Sequence, residues 1–234
     1  ADLLDADKTY EAMIRLGMTT DSGDSDGVVT ATAAVDVSEG EIFGVLRQFI
    51  GPILQIPPMH SALKRHGRPL YELARQGIEV EREPRAVVIH AIDCLGFGGD
   101  RLHLRVACSK GTYIRVLAAD IGQALGCGAH LAGLRRTRVG DLDLGAAVTL
   151  AHLESLDEAG RTTCLQPVDA LLRTLPSTLL EGEAAERFRH GNPVDLPAGL
   201  GGKIRVYVGG RLTGVGEAAP DGRLWPKKLV QRTP

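Results

Sequence analysis

The sequence has no apolar run of the roughly 18–20 residues that a membrane-spanning helix needs, so no transmembrane segment is read from it. Its opening, Ala1-Asp2-Leu3-Leu4-Asp5-Ala6-Asp7, is acidic and lacks the basic start of a secretory signal. It also lacks an initiating methionine and begins inside what reads as a structured element, so a longer parent chain is expected. Cysteine is scarce. The four present, Cys94, Cys108, Cys127 and Cys164, form no Cys-x-x-Cys pair, and they read as reduced small hydrophobes of a cytoplasmic protein. The seven histidines lack metal-ligand spacing, so no zinc site is expected. Neither charge sign is in excess: 27 basic against 29 acidic residues give a net charge of −2. That balance speaks against a general nucleic-acid coat protein but leaves room for an RNA enzyme with local basic patches. Three such patches exist: Lys64-Arg65-His66-Gly67-Arg68, Arg135-Arg136-Thr137-Arg138 and Lys227-Lys228. Each alone could equally be an ordinary solvated face.

Cofactor signatures are missing as well. Gly96-Phe97-Gly98-Gly99-Asp100-Arg101 lacks the third glycine of a dinucleotide fingerprint, and there is no phosphate-binding P-loop. No Gly-x-Ser-x-Gly elbow occurs. Ser22 to Gly27 faintly resembles a calcium loop, but Ser22 opens it and Ala33 stands where its bidentate glutamate belongs. A turn held by Asx bonds is the better reading. Chemistry without cofactor or metal, or binding alone, is what remains.

Against these absences one stretch stands out, Ser109-Lys110-Gly111-Thr112-Tyr113-Ile114-Arg115. It follows an alternating run, Arg101 to Cys108, that reads as a half-buried strand, and precedes an amphipathic run, Val116 to Leu125, that reads as a helix closed by Gly126. In an extended segment Tyr113 and Arg115 would share a face. An aromatic ring beside a guanidinium suits a flat base flanked by phosphates, or a carboxylate that must stay ionised.

The rest of the chain reads as α+β, a mainly antiparallel sheet with flanking helices. Tyr10–Leu16 and Val28–Val37 form a hairpin around an Asp/Ser/Gly turn. Ser38 opens a helix, with Glu41 completing a capping box and Ile42, Val45, Leu46 and Phe49 on one face. Ile56-Pro57-Pro58 is a rigid extended entry, and a short helix runs from Pro69 to before Gly77. Val87–Phe97 and Arg101–Cys108 pair around Gly98-Gly99-Asp100. Ala129–Val139 is a basic strand, and two short helices follow, near Leu150–Leu156 and Pro167–Leu172. Near Pro176-Ser177 glycines and prolines become frequent and strands shorten, to Gly202–Val208, Arg211–Glu217 and Trp225–Gln231. Two domains are therefore expected, residues 1–176 and a small β-rich domain over residues 177–234.

Several segments, in this order, resemble the TruB family of tRNA pseudouridine synthases: Asp7-Lys8-Thr9-Tyr10; Thr20-Asp21 with Asp24 and Gly27; Gln55-Ile56-Pro57-Pro58-Met59-His60-Ser61-Ala62-Leu63-Lys64; Leu70 to Gly77; Cys108 to Arg115; Leu125 to Leu131; and Leu134-Arg135-Arg136. The tail, with Gly191-Asn192-Pro193-Val194 and Gly214-Val215-Gly216-Glu217, is similar to the family's PUA-like RNA-binding domain. The resemblance implies a monomeric enzyme that isomerises uridine-55 in the T loop of tRNA to pseudouridine without cofactor or metal. The target base must leave its stack, a cost of a few kcal/mol that base-flipping enzymes offset by stacking and edge contacts. By the same resemblance Tyr113 is the active-site tyrosine, its ring on the flipped uracil. Arg115 is the arginine that pairs with a nucleophilic aspartate, Tyr10 is a second ring lining the base site, and Leu134 is part of an apolar wall. Lys64, Arg135 and Arg136 are assigned to tRNA phosphates. Asp21 and Asp24 order the turn near the site. Lys110 could touch a phosphate or support the strand end. Taken singly, Tyr113, Tyr10 and Leu134 could also be core residues.

The family carries its nucleophile in a Gly-x-Leu-Asp-Pro-x-Ala-Thr-Gly motif. Residues 1–234 contain no such motif, and Asp2, Asp5 and Asp7 lack its flanking residues. The expectations that follow are an inactive chain, an Arg115 without its partner, and an exposed sheet edge that lowers solubility. Two other readings stay open: a T-loop-binding protein without catalysis, and a PUA-domain protein of an RNA–protein particle.

Overall fold

The computed structural model describes residues 2–65, 67–196 and 198–230. His66 of the first basic patch and Gln231, the expected end of the last strand, lie outside the described residues. The chain forms two compact units, residues 1–146 and 147–234.

In the first unit a short helix α1 (Asp2–Asp5) leads into strand β1 (Lys8–Leu16). Its last turn is closed by the Lys8 ammonium, which donates to the carbonyls of Leu3, Leu4 and Ala6. A small hairpin, β2 (Met18–Thr20) and β3 (Val29–Thr32), follows. Helix α2 (Glu39–Gln48) opens with the expected capping box, in which Ser38 and Glu41 satisfy each other's backbone N–H groups. Next come β4 (Gly51–Gln55), a two-stranded hairpin of β5 (Lys64–Arg65) and β6 (Arg68–Pro69), and α3 (Leu70–Arg75). The unit closes with β7 (Arg85–Gly98), β8 (Arg101–Cys108), α4 (Ile114–Ala124), β9 (Ala129–Val139) and β10 (Leu142–Asp143).

The main sheet has the order β10-β9-β1-β8-β7-β4 and is antiparallel throughout. Alternation decides which face is buried. Ala12, Ile14 and Leu16 of β1 and Leu102, Leu104, Val106 and Cys108 of β8 point into one core. Helix α2 adds Ile42, Val45 and Leu46, and α4 adds Ile114, Leu117, Ala118 and Ile121, at spacings of three and four that place them on one helical stripe. Each such large aliphatic side chain contributes about 1.5–3 kcal/mol when fully buried.

Three sequence expectations shift. Helix α4 starts at Ile114, so Arg115 lies within its first turn instead of in an extended segment; Tyr113 alone keeps extended dihedrals, as the N-cap. The second strand of the first hairpin is only Val29–Thr32, and all four residues are exposed. Strand β4 was not anticipated. Gly51, at φ +106°, turns the chain out of α2, so the segment pairs with β7 as an edge strand that tolerates Pro52.

In the second unit, α5 (Leu150–Ser155) stands where a helix is expected, whereas α6 (Glu158–Thr163) lies ahead of the expected Pro167–Leu172, where only a 3-10 turn forms at Ala170–Leu172; the side chains of Thr149 and Asp157 cap α5 and α6. A five-stranded sheet of β11 (Ser177–Leu179), β12 (Val194–Asp195), β13 (Lys203–Val208), β14 (Arg211–Ala218) and β15 (Arg223–Leu229) follows, in the order β11-β13-β14-β15-β12. Helix α7 (Gly182–Arg189), hidden from sequence by its glycine-rich surroundings, drives Phe188 and Ala185 into a core with Ile204, Val206 and Leu224. The division by packing falls after Ala146, earlier than the 176/177 boundary read from composition. The reason is that the segment before Pro176 is bonded to this sheet. Arg205 donates through its backbone N–H to the Pro176 carbonyl and through Nε to the Leu175 carbonyl, and Tyr207 bonds Asp169. No described helix is long and apolar enough to cross a membrane.

Candidate active site

A cavity of about 340 Å³ lies in the first unit, where four pieces of chain meet. Strand β1 contributes Tyr10, the turn after β2 contributes Asp24, Ser25 and Asp26, the strand-to-helix junction contributes Thr112 to Arg115, and β9 contributes Leu131 to Leu134. Tyr113, Arg115, Tyr10 and Leu134, singled out from sequence, are thus brought together.

Local physics explains why these pieces converge. The turn is built by its own side chains. Asp24 Oδ1 accepts from Ser22 Oγ at 2.6 Å and from the Asp26 N–H at 3.3 Å, and Asp21 Oδ1 accepts from the Val28 N–H at 2.9 Å. Gly23, at φ +77°, lets the chain reverse. The turn is then stitched to β9: Leu131 N–H donates to the Gly23 carbonyl at 3.0 Å and Ser25 N–H to the Leu131 carbonyl at 3.1 Å, a one-residue parallel bridge at Asp24.

That stitching delivers Asp24 to Arg115. Arg115 Nη1 lies 2.9 Å from Asp24 Oδ2, with both side chains about a quarter exposed. The expectation of an Arg115 without a partner is therefore corrected. Its guanidinium is held by a carboxylate from the neighbouring turn, because residues 91 positions apart in sequence are joined through the β9 bridge. Lys110 is likewise engaged, its Nζ 2.6 Å from Asp5 Oδ1 in an exposed pair at the end of α1.

The two rings differ. Tyr113 carries its backbone into α4 without a side-chain cap. Tyr10 is opposite Val106 of β8 and Arg136 of β9. Burial pushes the Tyr10 hydroxyl above the ordinary phenol pKa and Cys108 adds to the rise, while the charge of Arg136, and then its hydrogen bonding, work the other way. A phenol is protonated around neutrality in any case, and the shift moves it further from ionising. Leu134, opposite Ala12, is 49% exposed and presents its apolar side chain at the cavity.

Lys64, Arg135 and Arg136 do not line the cavity. Arg135 and Arg136 continue β9 beyond Leu134 and are exposed. Lys64 sits on the β5–β6 hairpin against a separate cavity of about 450 Å³ with Leu63, Leu70 and Glu81. The lining of the central cavity carries two carboxylates, Asp24 and Asp26, and one guanidinium. It suits an uncharged flat group, with phosphate attraction supplied from outside. Among the described residues no cluster of His, Cys, Asp or Glu is placed to hold a metal ion. A larger cavity in the second unit, about 1140 Å³, is lined in part by Tyr207, Asp169, Arg211, Lys227 and Lys228 and contains none of the base-site candidates.

Comparison with known proteins bears on what such a cavity belongs to. Residues 1–114 match the profile of the TruB family pseudouridylate synthase N-terminal domain. Residues 115–173 match the tRNA pseudouridylate synthase B C-terminal domain, and residues 176–230 the pseudouridine synthase II TruB C-terminal domain. A relative from Dechloromonas aromatica (strain RCB), named tRNA pseudouridine synthase B, is 73% identical over 231 residues, covering 99% of this chain and 77% of that protein. The chain belongs to the TruB family. A second tRNA pseudouridine synthase B, from Aromatoleum aromaticum (strain DSM 19018 / LMG 30748 / EbN1), is 51% identical over 97% of the chain and 74% of that protein. Among solved structures, a chain of a Cbf5–Nop10–Gar1 complex superposes with a TM-score of 0.65 at 27% identity, covering 92% of this chain and 60% of that one. An H/ACA RNP bound to a substrate RNA containing 2′-deoxyuridine gives 0.70 at 24% identity, a likeness of fold alone.

Two features of this TruB-family site carried no pattern in sequence. One is the Asp24–Arg115 pair, visible only through the β9 bridge. The other is Gln55, which the resembling segment contains without a role and which the structure buries beside Tyr113.

Proposed function

We propose that this chain supplies the base-holding part of a tRNA pseudouridine synthase acting on uridine-55 of the T loop. The observation that carries the reading is the convergence of Tyr10, Tyr113, Leu134 and the Asp24–Arg115 pair on one cavity of about 340 Å³. The uracil, flipped from its stack, lies against the tyrosine rings with Leu134 as an apolar wall, and the exposed arginines of β9 receive flanking phosphates. In the reaction the C1′–N1 bond breaks and a C1′–C5 bond forms; C5 loses its proton and N1 ends as N–H. The neutral Tyr10 hydroxyl suits contact with the uncharged base edge, and Tyr113 is the candidate to relay the C5 proton.

The reading includes a division of labour. Asp24 and Asp26, the two cavity carboxylates, lack the flanking residues of the family's Asp motif, and Asp24 Oδ1 is also tied to Ser22 in the turn. We infer that the nucleophilic carboxylate is none of the cavity residues and that Ala1–Pro234 alone turns over no RNA. The protein acts as a monomer.

Tritium release from a 5-tritiated T stem-loop tests this. The complete product of the gene should release tritium, and a stem-loop with cytidine at the target position should release none. Residues 1–234 alone should bind the stem-loop without release, and Tyr10→Ala should weaken that binding by about 1–3 kcal/mol, the worth of one base–aromatic stack. Release by residues 1–234 alone would overturn the division of labour and direct attention to Asp24. Absence of release by the complete product would favour a T-loop-binding protein without catalysis.

A further inference from the structure

The capping box of α2 is made within one turn: the N-cap residue Ser38 offers its backbone N–H to Glu41, three positions on, at 2.8 Å. Helix α4 has no such device. Its N-cap is Tyr113, whose side chain makes no capping bond, and the residue in Glu41's place is Val116, which has no acceptor. Yet the backbone of Tyr113 is held on both sides of its Cα. Gln55 Oε1 accepts the Tyr113 N–H at 3.0 Å, and Gln55 Nε2 donates to the Tyr113 carbonyl at 3.3 Å. The same carbonyl accepts the first helical bond, from Leu117 N–H at 3.1 Å.

Gln55 is 2% exposed and ends β4, 58 positions before Tyr113. Tyr113 is extended, so its own N–H and C=O point the same way, and at neutral pH only a primary amide side chain places the matching acceptor and donor side by side. A buried amide keeps this position only if both halves are satisfied, and here both partners lie on one residue. We infer that Gln55 is a positioning residue for the base site. It holds the two peptide units that flank the Tyr113 Cα and, through the first turn of α4, the direction from which Arg115 meets Asp24. Sheet β4–β7 thereby sets the tyrosine ring. The inference rests on the base-site reading above, and it concerns how the site is held, not which RNA enters it.

A leucine at this position keeps the bulk and removes both bonds. A glutamate keeps the acceptor for the N–H but turns a carboxylate oxygen toward the Tyr113 carbonyl. Three proteins, Gln55→Leu, Gln55→Glu and the core control Ile42→Val, are compared with the unchanged complete gene product. Single-turnover tritium release and stem-loop affinity are measured well below each melting temperature, together with hydrogen exchange at the Tyr113 amide. Loss of alignment by a fraction of an ångström to one ångström costs on the order of tenfold to a hundredfold in rate. Gln55→Leu should show that loss with its stem-loop Kd changed less than about twofold, because surface phosphate contacts remain. Gln55→Glu should fall between, and Ile42→Val should keep its rate. The Tyr113 amide should be protected in the unchanged protein and exchange freely in Gln55→Leu.

A Gln55→Leu rate equal to that of Ile42→Val, or a loss of rate matched by an equal loss of affinity, overturns the inference. So does a freely exchanging Tyr113 amide in the unchanged protein. If the unchanged protein releases no tritium, the enzyme reading fails, while the amide exchange still decides whether Gln55 holds Tyr113.

Discussion

Replacing Asp24 by asparagine isolates the Asp24–Arg115 pair with little change of shape. Asp24 Oδ1 faces Ser22 and the Asp26 N–H, and Oδ2 faces Arg115. Asparagine can keep the turn bonds through Oδ1, which then points its NH₂ group at a guanidinium that has only donors to offer. The size of the effect follows from exposure. A fully exposed ion pair is worth about 0–1 kcal/mol, whereas breaking a buried one costs about 3–5 kcal/mol. At 27% and 23% exposure this pair lies between those limits, and a coupling of about 1–2 kcal/mol is expected from. The pair bridges the turn to α4, so the coupling should appear in local opening of the turn. The amides of Leu131 and Ser25, which pin the turn to β9, report that opening by hydrogen exchange. Trp225 cannot, because the chain's one tryptophan lies in the second unit. A cycle of Asp24→Asn, Arg115→Gln and the double variant should give a coupling seen as about 5- to 30-fold in protection, at 1.4 kcal/mol per factor of ten. Raising NaCl should shrink it only in part, since a largely shielded pair is screened less than an exposed one. A coupling below about 0.3 kcal/mol would refute the view that this pair docks the turn.

Two further expectations concern α4. A Cβ on Gly122 would come within 2.2 Å of the Ala129 backbone nitrogen and 2.4 Å of the Gly128 carbonyl carbon. Intrinsic propensity favours alanine by about 1 kcal/mol, but overpacking against backbone costs about 1–3 kcal/mol or more. Gly122→Ala should therefore lower the melting temperature, and a rise would show that α4 can back away from β9. Asp120, half-buried and without an ion-pair partner among the described residues, has its carboxyl pKa raised by burial. Its folded pKa then exceeds the unfolded one, so the folded state binds the proton more tightly, and the penalty is absent below the unfolded value and complete above the folded one. Asp120→Asn should raise the urea midpoint at pH 7 and leave it unchanged near pH 3; equal gains at both would refute burial as the cause.

The fold was legible wherever one periodicity held over a whole element. The alternation of Arg101–Cys108 and the i, i+3, i+4 spacing of Ile42, Val45 and Leu46 are direct records of which atoms leave water, and both elements stand where they were read. Strand β4 was not legible. Its five residues include a proline and a glycine, and only pairing with β7 makes them a strand. Helix α7 was hidden for a related reason. Its apolar stripe is short, and glycines crowd the sequence that follows it.

The site divides along the same line. Tyr113, Arg115, Tyr10 and Leu134 could be picked out because side-chain type and motif survive in a string of letters. The partners that hold them could not. Asp24 reaches Arg115 only because Gly23 and Ser25 exchange backbone bonds with Leu131, and Gln55 matters only because its amide meets the peptide of a residue on another element. Neither contact depends on a local pattern, so no spacing rule could have found it. The consequence for mutation is asymmetric. On the proposed base-site reading, changing a residue that touches the base removes one contact. Changing Gln55 or Asp24 leaves every base contact chemically present but free to move, which should be felt in turnover before it is felt in binding.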